Sequence, residues 1–259
     1  MVAVIGSRIL DLVAFLTGVA GMIADSAIAA VVRGLYRPRP VMSVYLRQIY
    51  FTGIEALKVV IPLALLIGTV IVTQIISFAG LESRGLIGKL LVWVVIRELG
   101  PLLTAIIIIA RSGTAIATEL GNMKLNGEID LLEGMGIPVS HYLIMPRIFG
   151  VATAVALLTV YFELVSITGG FLVAVAVWHV DFWQYTRDIV AAVTVRELVV
   201  SLVKSFGFGI FIAATCCWQG LGVTKSSTQI PQAATRGVMQ SLFLVFIIDI
   251  IFTSLFLVI

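Results

Sequence analysis

The chain has 259 residues, of which 60% are hydrophobic and 12% charged, with a formal net charge of +3 and a mean hydropathy of +1.14. Soluble domains are about 45–50% apolar and about 25% charged, so these values exclude a soluble globular domain and predict a polytopic membrane protein with one membrane domain. No basic run suggests nucleic acid, and the adjacent Cys216 and Cys217, set in an apolar stretch, imply no disulfide framework.

The first uninterrupted apolar run, residues 12–24, has 13 residues. A span needs about 20, so this segment is expected to lie parallel to the membrane or to re-enter it. Asp11 and Asp25 flank the run and argue against a cleavable signal peptide. Arg33, Arg37 and Arg39 follow, with Pro38 and Pro40 expected to stop any helix. This basic cluster marks the cytoplasmic side.

The first span is predicted over residues 48–78, with Pro62 and Gly68 allowing a bend and Glu55 one turn from Lys58 as an ion pair. Residues 80–88 form a short glycine-rich loop. The second span is interrupted: 90–96 is apolar, Arg97, Glu98, Gly100 and Pro101 follow, and 102–110 is apolar again. An ion pair at such depth is costly and usually faces a protein interior or a watery cavity, and discontinuous segments point to a transport pathway. The same pair could instead mark the interface of a shorter helix. Val70, Gln74 and Phe78 of the first span recur every four residues and share one face. With Arg97, Glu98 and Leu99 they form the candidate lining of such a pathway. Gly113, Ala117 and Gly121 recur at the same spacing and would let another helix approach closely.

From 119 to 136 the charged residues Glu119, Lys124, Glu128, Asp130 and Glu133 alternate with Leu120, Met123, Ile129, Leu132 and Met135. That spacing predicts a helix with one apolar face, too charged to span. It would either rest on the headgroups or dock a soluble partner. A long third span, 142–178, carries Glu163 near its middle, with Gly169 and Gly170 expected after it. A polar, aromatic loop of His179, Asp181, Trp183, Arg187 and Asp188 precedes a fourth span, 198–218. A polar loop over 220–236 precedes a fifth, 238–259, which contains Asp249. Five spans with the N-terminus inside leave the C-terminus outside. The lysines and arginines then favour the inner side.

The loop 220–226, GLGVTKS, lacks the glycine before Lys225 and the preceding strand that a phosphate loop requires. His141 and His179 lie at opposite faces of this arrangement with no carboxylate or cysteine at ligand spacing. No metal, cofactor or catalytic residue is therefore predicted. Glu163 and Asp249 are either proton carriers or residues that lock helices together.

Several linked motifs now stand in order along nearly the whole chain. They are RELGP at 97–101, R-x-G-x-A-x-x-x-E-L-G-x-M at 111–123, Met-Gly-Ile-Pro at 135–138, Pro146-Arg147, Glu163 followed by Gly169-Gly170, and Ala-Thr-Arg-x-Val at 234–238. Together they resemble the MlaE-type permeases of bacterial lipid-transport ABC systems. The resemblance implies an all-α permease of five transmembrane helices, an N-terminal membrane-parallel helix (residues 1–40) and a cytoplasmic coupling helix (119–137). It implies a homodimer in the inner membrane, separate cytosolic ATPase subunits, a periplasmic MCE-domain lipid-binding protein, and a phospholipid or related lipid as cargo. The chain would hold no ATP site of its own. An ion-coupled secondary transporter working through its intramembrane carboxylates, and an intramembrane enzyme acting on lipids, are the other classes considered. The odd number of spans and the isolated histidines argue against them.

Overall fold

The computed structural model describes residues 2–33, 38–79, 84–179, 181–224 and 226–258. Arg37, the loop residues 80–83 and Lys225 lie outside them. The described residues are helical almost throughout: α1 (Val2–Arg33), α2 (Pro38–Ile49), α3 (Glu55–Ala79), α4 (Arg84–Leu91), α5 (Gly100–Ile108), α6 (Thr114–Leu125), α7 (Glu128–Gly134), α8 (Met145–Trp178), α9 (Phe182–Ala192), α10 (Val195–Leu221) and α11 (Gln229–Val258). Wider, π-helical turns at Tyr50–Ile54, Val92–Leu99, Ile109–Gly113 and Ser140–Ile144 join successive pieces without breaking the rod. Two of these turns sit just before Pro101 and Pro146. Proline lacks the N–H that a helix needs and crowds the carbonyl four residues back, and a wider turn relieves that crowding.

Six segments are long and apolar enough to cross a membrane: Val13–Ala30, Val41–Phe78, Gly88–Leu125, Ser140–Trp178, Val195–Leu221 and Gln229–Phe256. The chain is thus an all-α polytopic membrane protein. The first of the six belongs to α1, which runs unbroken well past the apolar run 12–24 at both ends. Pro38 begins α2 rather than ending a helix, a position where its missing N–H costs nothing. The first long segment therefore starts some residues before the predicted 48.

The stretch 119–136 is two helices rather than one. Gly127 adopts φ 74°, a left-handed conformation that glycine takes without a Cβ penalty, and α6 ends there while α7 turns away. The expected loop after Trp178 is in large part α9, whose first turn is capped by Asp181 accepting from the Trp183 and Gln184 amides. We refer below to the α7 end and the α9 end of the bundle.

Helix α8 is the spine and packs along α3 and α10; α10 in turn packs along α11 and α6. The α3–α8 contact is made by backbone. A Cβ on Gly68 would fall 1.9 Å from the Ser166 carbonyl oxygen, and one on Gly169 would fall 2.7 Å from that of Leu65. Ser166 Oγ donates to the Ala64 carbonyl across the same seam at 3.0 Å. Gly169 and Gly170 thus lie inside α8, within the predicted span and at a helix contact. Apolar segments in lipid gain little from burying more apolar surface, so small residues that admit close packing and hydrogen bonds hold the helices together. The α6–α10 contact is of the same kind: a Cβ on Gly220 would lie 2.8 Å from the Ala117 carbonyl, and one on Gly113 would lie 3.0 Å from Cys216 Sγ.

Gly169→Leu should therefore destabilise the detergent-solubilised protein by ~1–3 kcal/mol through overpacking. Gly21→Ala, where an added Cβ meets nothing within 4 Å, should leave it unchanged. Thermal unfolding of both variants beside the native chain measures the difference, and equal melting temperatures would remove the close-contact account.

A candidate polar site inside the bundle

Within the apolar segments Arg97 lies nine positions from Gly88, Lys204 nine from Val195 and Asp249 seven from Phe256, each counted from the α9 end. At 1.5 Å per residue this is a depth of about 10–13 Å, well inside a hydrocarbon core about 30 Å thick. The three helices therefore bring their charges to one level.

Lys204 is the centre of the cluster. Its side chain is 2% exposed, and its Nζ lies 2.8 Å from Glu98 Oε2 and 2.5 Å from Asp249 Oδ1. It also donates to the Arg97 carbonyl at 3.1 Å and to Thr253 Oγ1 at 3.2 Å. Thr253 in turn donates to Glu98 Oε1 at 3.0 Å. The backbone contact follows from the RELGP sequence itself. Pro101 has no N–H to offer the carbonyl four residues before it, and the ammonium of Lys204 supplies a donor there.

Arg97 and Glu98 are not the simple pair expected from the sequence. Arg97 Nε stands 3.9 Å from Glu98 Oε1, beyond hydrogen-bond range, while Glu98 is engaged by Lys204 and Thr253. Consecutive helical residues do not face each other, so the glutamate finds its partner on another helix. Arg97 keeps a buried Nη2 without a protein partner, which makes it the cation of the cluster with hydrogen-bonding capacity to spare.

A second buried carboxylate extends the polar layer. Glu163 of α8 accepts a short hydrogen bond from Ser201, which lies one turn from Lys204 on α10. Gly100 makes room for it, since a Cβ there would sit 3.1 Å from Glu163 Cγ. Both intramembrane carboxylates, Glu163 and Asp249, thus have partners on neighbouring helices.

The other residues expected at the lining are distributed differently. Leu99 packs against the main hydrophobic core. Val70, Gln74 and Phe78 lie on an exposed face of α3, with Phe78 91% exposed. The sequence reading missed Lys204 and Thr253 as members of the site. A lone lysine nine residues into an apolar helix was the available signal for the first, and a single threonine in an apolar segment carries none.

At the α7 end, Glu55 pairs with Arg111 rather than with Lys58, and Arg111 also donates to the Phe51 carbonyl at 2.9 Å. Lys124 pairs with Asp130 at 2.7 Å across the α6–α7 turn. Glu119 pairs with Arg147 at 2.8 Å. Glu128 and Glu133 are exposed, and so are Leu131 and Met135, four residues apart, while Ile129 is buried beneath them. A cavity of about 460 Å³ opens between α7 and the foot of α8, with Lys124 and Glu133 beside Ile129, Val139 and Leu221.

A multi-helix membrane bundle with a charged layer inside its spans and a short amphipathic helix turned out at one end has the build of a transport permease. The model of the family described as Permease MlaE matches residues 45–255. A probable ABC transporter permease protein of Rickettsia conorii is 28% identical over 235 residues, covering 88% of each chain. The intermembrane phospholipid transport system permease protein MlaE of Haemophilus influenzae is 28% identical over 216 residues, 81% of each. The chloroplastic protein trigalactosyldiacylglycerol 1 of Arabidopsis thaliana is 29% identical over 212 residues, 82% of this chain and 61% of that one. The chain belongs to the MlaE permease family.

Lys204→Met should destabilise the protein by ~3–5 kcal/mol, because it removes the ammonium held between Glu98 and Asp249 and leaves only Arg97, 3.9 Å from Glu98, to offset two carboxylates. Thr253→Val should cost ~1 kcal/mol. Combining Lys204→Met with Glu98→Gln and Asp249→Asn should recover part of the loss, read by thermal unfolding in detergent. A triple variant no better than the single one would mean that Lys204 acts through packing alone.

Proposed function

We propose that this protein is the membrane permease subunit of an ABC-type system that moves phospholipid, or a related lipid, between the inner and outer membranes of a bacterium. Separate ATPase subunits supply the energy. The observation that carries the reading is the charged layer within the spans, held by Lys204 and carrying an arginine with spare donors, in a chain of the MlaE family. A phospholipid presents an anionic phosphate and long apolar tails. Arg97 offers the phosphate a charge-assisted, bidentate contact, and the exposed face of Val70, Gln74 and Phe78 offers the tails an apolar wall.

The working unit is a homodimer in the inner membrane, and its second copy encloses the cavity by covering such exposed faces. The α7 end faces the cytosol. There the exposed Leu131 and Met135, rimmed by Glu128, Asp130 and Glu133, form the ATPase dock. The α9 end faces the periplasm and an MCE-domain lipid-binding protein, and the C-terminus lies on that side. Helix α1 lies along the cytoplasmic face. Its middle touches the bundle at one end only, where Gly18 receives the Trp218 ring and a cavity of about 200 Å³ is lined by Met22, Ser26, Ser140 and Ile144. A helix crossing the bilayer would contact its neighbours along its length.

Photocrosslinkers at positions 70, 74 and 78 should label lipid extracted with the complex. A crosslinker at Leu157, exposed on α8, serves as the bilayer control. Equal labelling at both sets would place the first set in bulk bilayer and remove the cavity assignment. Leu131→Asp combined with Glu128→Lys should reduce ATPase co-purification at least tenfold while the permease remains folded. Unchanged co-purification would remove the dock.

A further inference from the structure

Arg147 is the most deeply buried arginine among the described residues, 4% exposed in the first turn of α8. Its Nη2 meets Glu119 Oε1 at 2.8 Å, and its Nη1 is buried without a partner. Glu119 belongs to α6, and its side chain is 58% exposed. Helix α10 packs along both α6 and α8. The pair therefore stands where α6, α8 and α10 converge, with the cation inside and the carboxylate at the water's edge.

The position of this pair in the mechanical path gives it significance. Helix α7 is fastened to α6 by the Lys124–Asp130 ion pair across the Gly127 turn. Helix α6 packs along α10 and α11, whereas α8 packs along α3 and α10. Glu119–Arg147 joins α6 directly to α8, the helix that carries Glu163 and lies against α3. A buried guanidinium has nowhere else to go: breaking its one carboxylate contact leaves an uncompensated charge. When α6 moves, α8 is held to it.

We propose that Arg147, acting through Glu119, is the positioning residue that transmits displacement of α7 to α8, and so couples ATP hydrolysis by the partner to movement of lipid. This rests on the function proposed above, and it takes Glu119 out of the ATPase contact and assigns it to the interior link.

The test uses the permease–ATPase complex reconstituted in proteoliposomes, with ATP hydrolysis and transfer of fluorescent phospholipid measured together. Glu119→Gln removes the countercharge of a buried guanidinium while its amide oxygen can still accept from Arg147, so it should melt below the native chain yet stay folded at the assay temperature. It should keep its ATPase bound, hydrolyse ATP within twofold of native, and move at least tenfold less lipid per ATP. Arg147→Lys should retain more coupling than Arg147→Met, and Glu119→Asp more than Glu119→Gln. Spin labels at Gly134 on α7, where an added side chain meets nothing within 4 Å, and at Leu157 on α8 should show a nucleotide-dependent distance change in the native complex that Glu119→Gln abolishes. Native lipid-to-ATP ratios in Glu119→Gln, or hydrolysis and transfer falling in parallel, would overturn the coupling role. A native complex that moves no lipid, yet shows the label displacement and its loss in Glu119→Gln, would overturn the lipid reading and leave the mechanical link standing.

Discussion

A lysine ammonium with almost no exposure, in a segment long and apolar enough to span a bilayer, has no water to solvate it. It must be met by protein oxygen or forgo its charge. Lys204 is met by two carboxylates, a hydroxyl and a backbone carbonyl, drawn from Arg97 and Glu98 and from Asp249 and Thr253 of α11. This requirement brings three separately apolar segments to one register, because each must deliver its polar atom at the same depth. Helix association in lipid lacks the hydrophobic drive that sorts helices in water, so such directional contacts, together with the backbone seam at Gly68 and Gly169, decide which helix lies beside which.

Much of the fold was legible in the sequence because a long apolar run in lipid must satisfy its backbone as a helix. The long runs that end near Phe78, Trp178 and Leu221 are the long helices of the structure. What escaped were relations between distant residues. Glu55 has Lys58 one turn away yet pairs with Arg111, since a local pair contributes only about 0.2–0.5 kcal/mol and a guanidinium that also stacks over Phe51 offers more. Glu98 has Arg97 beside it in sequence and Lys204 beside it in space. The segment 119–136 has the periodicity of one helix, but periodicity does not register that Gly127 takes a left-handed turn. Glycines 169 and 170 fall inside the predicted third span, but spacing along one chain does not say which helix they face. In this bundle they are the places where α3 can come close.

The structure divides the labour of its charges by depth. Near the α9 end they lie within the spans and are neutralised in a closed group. Toward the α7 end the pairs Lys124–Asp130, Arg111–Glu55 and Arg147–Glu119 each have one member reaching water. Water-exposed pairs contribute little stability individually, but a pair with a buried cation and an exposed anion is stiff on one side and accessible on the other. In the proposed role that asymmetry would suit a segment that responds to a soluble partner and remains fastened to the spans.

The balance within the inner cluster also bears on how a lipid would be held in the proposed role. Arg97 and Lys204 carry two positive charges, and Glu98 and Asp249 carry two negative ones, so the group is neutral before a phosphate arrives. Lys204 is committed at 2.5–2.8 Å to both carboxylates, which leaves Arg97, 3.9 Å from Glu98, as the group free to turn toward an anion. A phosphate taking up Arg97 would feel Glu98 nearby as a like charge, and in a medium of low dielectric that repulsion offsets a large part of the attraction. The result is a site that recognises a phosphate by geometry and retains it weakly. A receptor would gain from deleting Glu98; a transporter has to release what it binds, and the same carboxylate that fixes Lys204 between the helices limits how firmly the lipid is held.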